Sequence, residues 1–423
     1  MRNRFMLTLL IAIPTFAGTL LATDVTNLYS FTGIPDGNTP IGSLVADAAG
    51  NLYGVTFVGG TLGGCTRNKV VNCGTVFELK PGSGGTYTET IIHDFGGAGD
   101  GQVPLGGLII DQAGNLYGTT SGGGVFHEGI VFQLSPQSGG GWTETILYNF
   151  GQNNASDASE PGAGLIFDSA GNLYGTTQLG GATDNGAVFE LSPPSGSGAW
   201  TENVLYSFQG GSDGSYPYGG LAIDYRGALY GTTHLAGLGG EPGYGTLFEL
   251  VPPSGGSSWT ESVLHRFTGK SDGGRPQGNL LRIGQSLYGT TSSISGGAGT
   301  VFEVSPSAGG VNFETIYTLP TSDQEGNDPT SGVILGPGDE LLGTAQNGGD
   351  VQGGTIFELV PHSGGAWTFS LVATLGDFGL SSPQGLFIHN GRLYGVASYG
   401  GDQHCVSGGS GVKGCGAVFS IAP

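Results

Sequence analysis

The 423-residue sequence predicts an all-β fold, a seven-bladed β-propeller of four-stranded antiparallel blades closed by its N-terminal strand. Three observations carry this. A Leu-Tyr-Gly phrase, as in GNLYGTT at 114–120 and 171–177, recurs with Tyr53, Tyr117, Tyr174, Tyr230, Tyr288 and Tyr394, and Leu342 marks a degenerate copy; the intervals run from 52 to 64 residues. Each copy is followed by a second phrase, GTVFELKP in the first and GAVFSIAP in the last, whose phenylalanines are Phe77, Phe132, Phe189, Phe248, Phe302, Phe357 and Phe419. The two chain ends are complementary fragments of one unit.

Taken in chain order, the first element is a leader. Arg2 and Arg4 precede a short apolar run that ends at the small residue Ala22, the pattern of a secretory signal peptide over 1–22. The rest, 23–423, reads as one propeller domain, and no later stretch approaches the ~20 apolar residues of a spanning helix. Loss of the leader removes two arginines and no acid, taking the net charge from −21 to −23. That acidity excludes nucleic-acid binding, which needs a basic surface. Glycine contributes 87 residues, yet 37% of the chain is apolar and its aromatics recur at regular places, so a core is being built.

Within one unit, GLAID, ALYGTT, GTLFEL and WTESVLHRF (220–267) are short apolar runs separated by Gly, Pro and Asp, hence four consecutive strands. Leu229 and Tyr230 are adjacent and both apolar, as expected of a sheet covered on both faces. The run TNLYSF (26–31) matches a fourth strand such as VLYSF (204–208) but precedes the first unit, and the chain stops after a third strand. Residues 26–31 are therefore expected to supply the outer strand of the seventh blade.

Cys65 with Cys73, and Cys405 with Cys415, lie in the equivalent loop of the first and seventh units. In an exported protein these read as disulfides. Local pairing is favoured, a crosslink between the two neighbouring blades is the rival, and the lack of a CxxC pair argues against zinc.

The phrases GNLYGTT, GTVFEL and WTETILYNF (142–150) resemble the Gloeo/Verruco tandem-repeat family of bacterial exported proteins, over essentially all of 23–423. The resemblance implies an extracellular, propeller-like protein and carries no catalytic residue across. Relatives look as if they carry a C-terminal sorting segment; this chain ends at Pro423 after a strand, so surface anchoring is not expected. The order of the phrases also looks like kelch blades.

Chemistry is expected on the face of the long loops or in its central pocket. Asp36, Asp100, Asp213 and Asp272 repeat an Asp-Gly theme suited to turns. The longer versions at 151–161 and 321–329 add Asp157, Glu160, Asp323, Glu325 and Asp328, candidate ligands for calcium, although no cofactor is required. Asp47, Asp111, Asp168 and Asp224 recur at the end of the first strand, as turn residues. His93 and His265 fall in outer strands, and His362 and His389 in short turns. His127, His234 and His404 lie in long loops, with Glu128, Asp402 and Arg67 nearby, a set able to abstract a proton beside a neutralised carboxylate. Trp142, Trp200, Trp259 and Trp367 begin outer strands and are expected to pack between blades. No P-loop or H-E-x-x-H motif is present. The first expectation is therefore a monomeric, secreted or periplasmic scaffold that binds extracellular glycans or envelope proteins. The alternative is a carbohydrate-active enzyme, a polysaccharide lyase or glycoside hydrolase.

Overall fold

The structure is a computed structural model that describes residues 24–62, 65, 73–153, 157–196, 198–236, 243–255, 258–292, 299–307, 310–320, 324–349, 351–405 and 413–422. The leader at 1–22, Arg67 and Asp323 lie outside the described residues. Seven antiparallel sheets follow one another as the blades of a propeller. The first blade runs Gly37–Ala46, Leu52–Gly59, Thr75–Pro81 and Tyr87–Asp94, from the axis outward. The seventh takes Leu380–His389, Arg392–Gly400 and Ala417–Ile421 from the C-terminus and Val25–Ser30 from the N-terminus. Val25 pairs with Ile421 and Ser30 with Ala417, so the N-terminal strand completes the last blade.

The repeated phrases are explained at the blade boundaries. In the second strand of the first blade, Gly54 lies beneath the ring of Phe77: a Cβ there would stand 2.5 Å from the ring edge and 2.8 Å from Leu44. Only glycine admits the ring, and Gly118, Gly175, Gly231, Gly289, Gly343 and Gly395 meet their own phenylalanines in the same way. The other side of that ring receives the last aromatic of the preceding blade. Phe31, Phe95, Phe150, Phe208 and Phe267 stand 5.1, 5.2, 5.1, 5.0 and 5.4 Å from Phe77, Phe132, Phe189, Phe248 and Phe302. Leu319 and Leu375 take that place before Phe357 and Phe419. Among the described residues the core accordingly divides into seven clusters, each straddling a boundary between blades.

The edges are built with equal regularity. Trp142 stands edge-on to Tyr53 of the preceding blade at 5.6 Å, and Trp259 and Trp367 repeat this on Tyr174 and Tyr288. On the short-turn face Asp111 accepts hydrogen bonds from the amides of Ala113 and Asn115, the Asn115 side chain and the Tyr117 hydroxyl. Asp47, Asp168 and Asp224 repeat the turn. The aspartate thus closes the hairpin and positions the tyrosine of the Leu-Tyr-Gly phrase.

Both disulfides are local, Cys65–Cys73 and Cys405–Cys415, with Cα atoms 5.4 and 5.7 Å apart. Each backs the glycine that leaves an outer strand, Cys73 at Gly96 and Cys405 at Gly33. Two disulfides point to an extracellular or periplasmic protein. No helix among the described residues is long and apolar enough to cross a membrane.

Closure makes two outcomes testable. Deletion of 23–31 should lower the melting temperature sharply, because it removes both the strand and the Phe31 ring. The single change Phe31→Ala should cost about 3–5 kcal/mol in a denaturant titration, and an unaltered melt in either variant would refute closure by this segment.

Candidate functional site

The first strand of every blade is interrupted where it faces the axis. In the first blade Ile41 pairs with Val55 and Val45 with Tyr53, so the inner strand carries more residues than its partner and bulges. The bulges read Pro-x-x-x-Leu or Pro-x-x-x-Val in six blades: Pro40 to Leu44, Pro104 to Leu108, Pro161 to Leu165, Pro217 to Leu221, Pro276 to Leu280 and Pro329 to Val333. In the seventh, Pro383 to Leu386, one residue is missing. The leucine turns outward onto the glycine-phenylalanine stack, and the residues before it are pushed to the centre. Seven such turns meet only because their backbones touch: a Cβ on Gly42 would stand 2.7 Å from the Gly107 nitrogen, and Gly106 and Gly278 are as tightly held by Ala163 and Gly332.

The turns enclose an axial cavity of about 320 Å³. Its polar lining comes from Ser43, Tyr218, Gln277, Asn279, Thr330, Ser331, Gln346, Gln384 and glycine backbone; among the described residues no acid, histidine, lysine or arginine lines it. Several of these groups are positioned. Asn279 accepts the Gly220 amide at 2.8 Å, and Gln384 donates to Ser398 Oγ at 3.0 Å, which itself donates to the Pro40 carbonyl across the closure boundary. The Thr330 hydroxyl is buried without a partner. The Tyr218 ring rests 5.7 Å from His234.

The loop histidines do not join this cavity. His127 is exposed on left-handed backbone (φ 65°), and His404 is a fully exposed side chain 2.9 Å from Asp402. His234 is held inward, where burial pushes its pKa down and the nearby Arg275 adds to the effect. Glu128 lines a different cavity, about 530 Å³, between blades two and three, together with Asp157, Glu160 and Asp184.

The calcium candidates are similarly divided. Asp157 is already engaged by the Tyr148 hydroxyl at 3.0 Å and the amides of Gly151 and Asn153 at 2.8 and 3.1 Å. Glu325 accepts the Tyr317 hydroxyl at 3.0 Å, and Asp328 sits on left-handed backbone (φ 63°). Among the described residues neither set forms a group of three ligand atoms within 4.8 Å of one another.

Asp157 and Glu325 belong instead to a rim that repeats at the blade boundaries. Asp36 binds Tyr29, Asp213 binds Tyr206 and Asp272 binds His265, each tying an outer strand to the loop that follows it. A glutamate of the next outer strand faces the same group from across the boundary: Glu89 near Asp36, Glu144 near Asp100, Glu202 near Asp157 and Glu261 near Asp213. Burial, aided by that aspartate, pushes Glu89, Glu202 and Glu261 up to about 7.

Sequence reasoning read Asp36, Asp100, Asp213 and Asp272 as turn residues and Asp157 and Glu325 as calcium ligands, and passed over both the glutamates facing this rim and the axial turns. The seven regularly spaced prolines were the available signal for the turns; nothing local marks the glutamates. Because the folded chain keeps protons that the unfolded chain releases between about pH 4.5 and pH 7, these three glutamates make stability fall as pH rises through that window. Replacing Glu89, Glu202 and Glu261 with Gln should raise the melting temperature at about pH 8 and change it far less at about pH 5. Equal shifts at the two pH values would contradict the assignment.

Comparison with solved structures places the fold. A fungal alcohol oxidase of the AA5 family, solved with copper, superposes with a TM-score of 0.58 at 11% identity, covering 95% of this chain and 77% of that one. An ancestral GH74 enzyme gives 0.56 at 12% identity, over 94% of this chain and 50% of that one. A protein from Lactobacillus plantarum gives 0.52 at 14% identity, over 80% and 85%. At such identities the likeness is one of fold. No curated protein sequence matches the chain. The family model of the Gloeobacter/Verrucomicrobia repeat matches residues 15–154, 59–261 and 235–407. The chain therefore belongs to the Gloeobacter/Verrucomicrobia repeat family.

Proposed function

We propose that the protein is an exported binding scaffold whose axial cavity takes a neutral, polyhydroxylated ligand such as a unit of an extracellular glycan. The observation that carries this reading is the cavity lining: amide and hydroxyl side chains, one tyrosine ring and glycine backbone set among leucine, isoleucine and valine side chains, without a charged group among the described residues. Amides match the paired donors and acceptors of sugar hydroxyls, and an aromatic ring beside them covers an apolar sugar face. Acid–base catalysis requires a titrating group within reach of the substrate, and the carboxylates and histidines stand elsewhere. The residue after the axial proline varies from blade to blade, with Tyr218 in the fourth and glutamine in the fifth and seventh, Gln277 and Gln384, so the lining is not the same on all sides.

The enzyme reading has its own observation, the gathering of Glu128, Glu160 and Asp184 in the cavity between blades two and three. Paired carboxylates of this kind are what glycoside hydrolysis uses.

Titration calorimetry against a panel of neutral oligosaccharides separates the two. Binding by the unaltered protein should weaken by roughly tenfold in a Gln277→Ala/Gln384→Ala variant, the loss of about two hydrogen bonds, with no release of reducing ends. Unchanged affinity in that variant would remove the axial cavity from consideration. Turnover abolished by Glu128→Gln would move the function to the cavity between blades two and three.

A further inference from the structure

The boundary between the first and second blades departs from the others. Where Tyr29, Tyr148, Tyr206 and Tyr317 present a hydroxyl to the rim carboxylate, the first blade presents His93. His93 Nε2 stands 3.4 Å from Asp100 Oδ2 and 3.5 Å from Glu144 Oε1. The three ligand atoms lie within 4.8 Å of one another, the one such group of His, Cys, Asp or Glu among the described residues.

These separations exceed the roughly 2.7–3.2 Å of a well-formed N–H···O hydrogen bond. They match the edge of a tetrahedron whose centre-to-ligand distances are about 2.0–2.1 Å, which is about 3.3–3.4 Å, the dimensions of zinc bound by imidazole nitrogen and carboxylate oxygen. Two of the three atoms are otherwise unsatisfied. His93 Nε2 and Glu144 Oε1 are both shielded from solvent and neither has a hydrogen-bond partner. Leaving such groups unmatched is costly, about 1–3 kcal/mol each and more when charged. In an ion-bound form, two deprotonated carboxylates and a neutral imidazole balance one divalent cation, the protons being released on binding.

The rest of the shell is already arranged. Asp100 is oriented by the amides of Gly101, on Oδ1 at 2.6 Å, and Gly96, on Oδ2 at 3.0 Å. The His93 ring is set edge-on against Phe95 at 4.6 Å. Asp94, which also faces His93, has its Oδ2 occupied by Thr61 and Leu62. The other rim histidine serves as an internal control. His265 makes an ordinary contact with Asp272 at 3.1 Å, and where a glutamate would stand, Phe313 stacks on its ring at 3.7 Å.

We propose that His93, Asp100 and Glu144 form a three-ligand site for a divalent transition-metal ion of the zinc class, with water in the fourth position. Mixed nitrogen and oxygen donors distinguish it from an all-oxygen calcium site. The ion joins the outer strand of blade two to the outer strand and loop of blade one. The Cys65–Cys73 disulfide packs into the same boundary.

The experiment uses the purified protein after chelator treatment and dialysis, titrated with zinc chloride by calorimetry and with cobalt chloride by visible absorption. The expected result is saturable uptake of about one equivalent, tetrahedral cobalt bands and a raised melting temperature. Glu144→Gln and His93→Gln should each weaken binding by more than about 100-fold, beyond the loss typical of outer-shell changes, and His265→Gln should leave it intact. Circular dichroism checks that each variant folds; should His93→Gln fail to fold, the isosteric Glu144→Gln decides. No saturable uptake by the unaltered protein would overturn the proposal. So would uptake that survives in Glu144→Gln, which would place the ion on loop histidines such as His127 or His404.

Discussion

A phenylalanine ring laid on a glycine, and closed over by the last side chain of the preceding blade, is the contact on which this molecule depends. A four-stranded sheet with apolar residues on both faces cannot stand alone in water. It needs a neighbour on each side, and a ring of seven supplies that for all of them. Glycine beneath Phe77 and its six counterparts lets the ring approach the backbone of the second strand. Phe31 then covers Phe77 from the seventh blade just as Phe95 covers Phe132 from the first. The boundary that closes the ring is thus made from the same parts as the others, although its outer strand comes from the opposite end of the chain.

Repetition also separates structural groups from candidate functional ones. The turn aspartates, the tyrosines they hold and the boundary tryptophans recur because every blade faces the same packing problem. What does not recur has no such explanation: the Tyr218 ring at the axis, and the meeting of His93 with both Asp100 and Glu144, which His265, faced by Phe313, does not repeat. The axial groups share an uncharged cavity, whereas the rim groups are acidic and half-buried. The two kinds of site therefore differ in the ligand proposed for each, a neutral polar one at the centre and a cation at one point of the rim.

Much of the fold was legible in the sequence. Two phrases at matched intervals define the blades, and the orphan strand at 26–31 identifies the closure. The local pairing of both cysteine pairs was the favoured reading. The candidate sites were less legible. The loop positions of His127, His234 and His404 could be read, but not that His234 turns inward while the other two face solvent, nor that none of them lines the axial cavity. Pro40, Pro104, Pro161 and their successors are regularly spaced, yet nothing local marks the residues after them as the lining of a cavity.

By itself the sequence determined the repeat, the number of blades, the strand content of each and the place where the ring joins, because these follow from short-range patterns of glycine, aromatic and turn residues. Only the tertiary structure decided which side chains meet across a boundary. His93 and Glu144 are 51 positions apart on the outer strands of different blades, and their approach depends on the pleat and register of both strands and on the twist between sheets. The axial cavity, likewise, exists only once all seven inner turns have been brought to one centre.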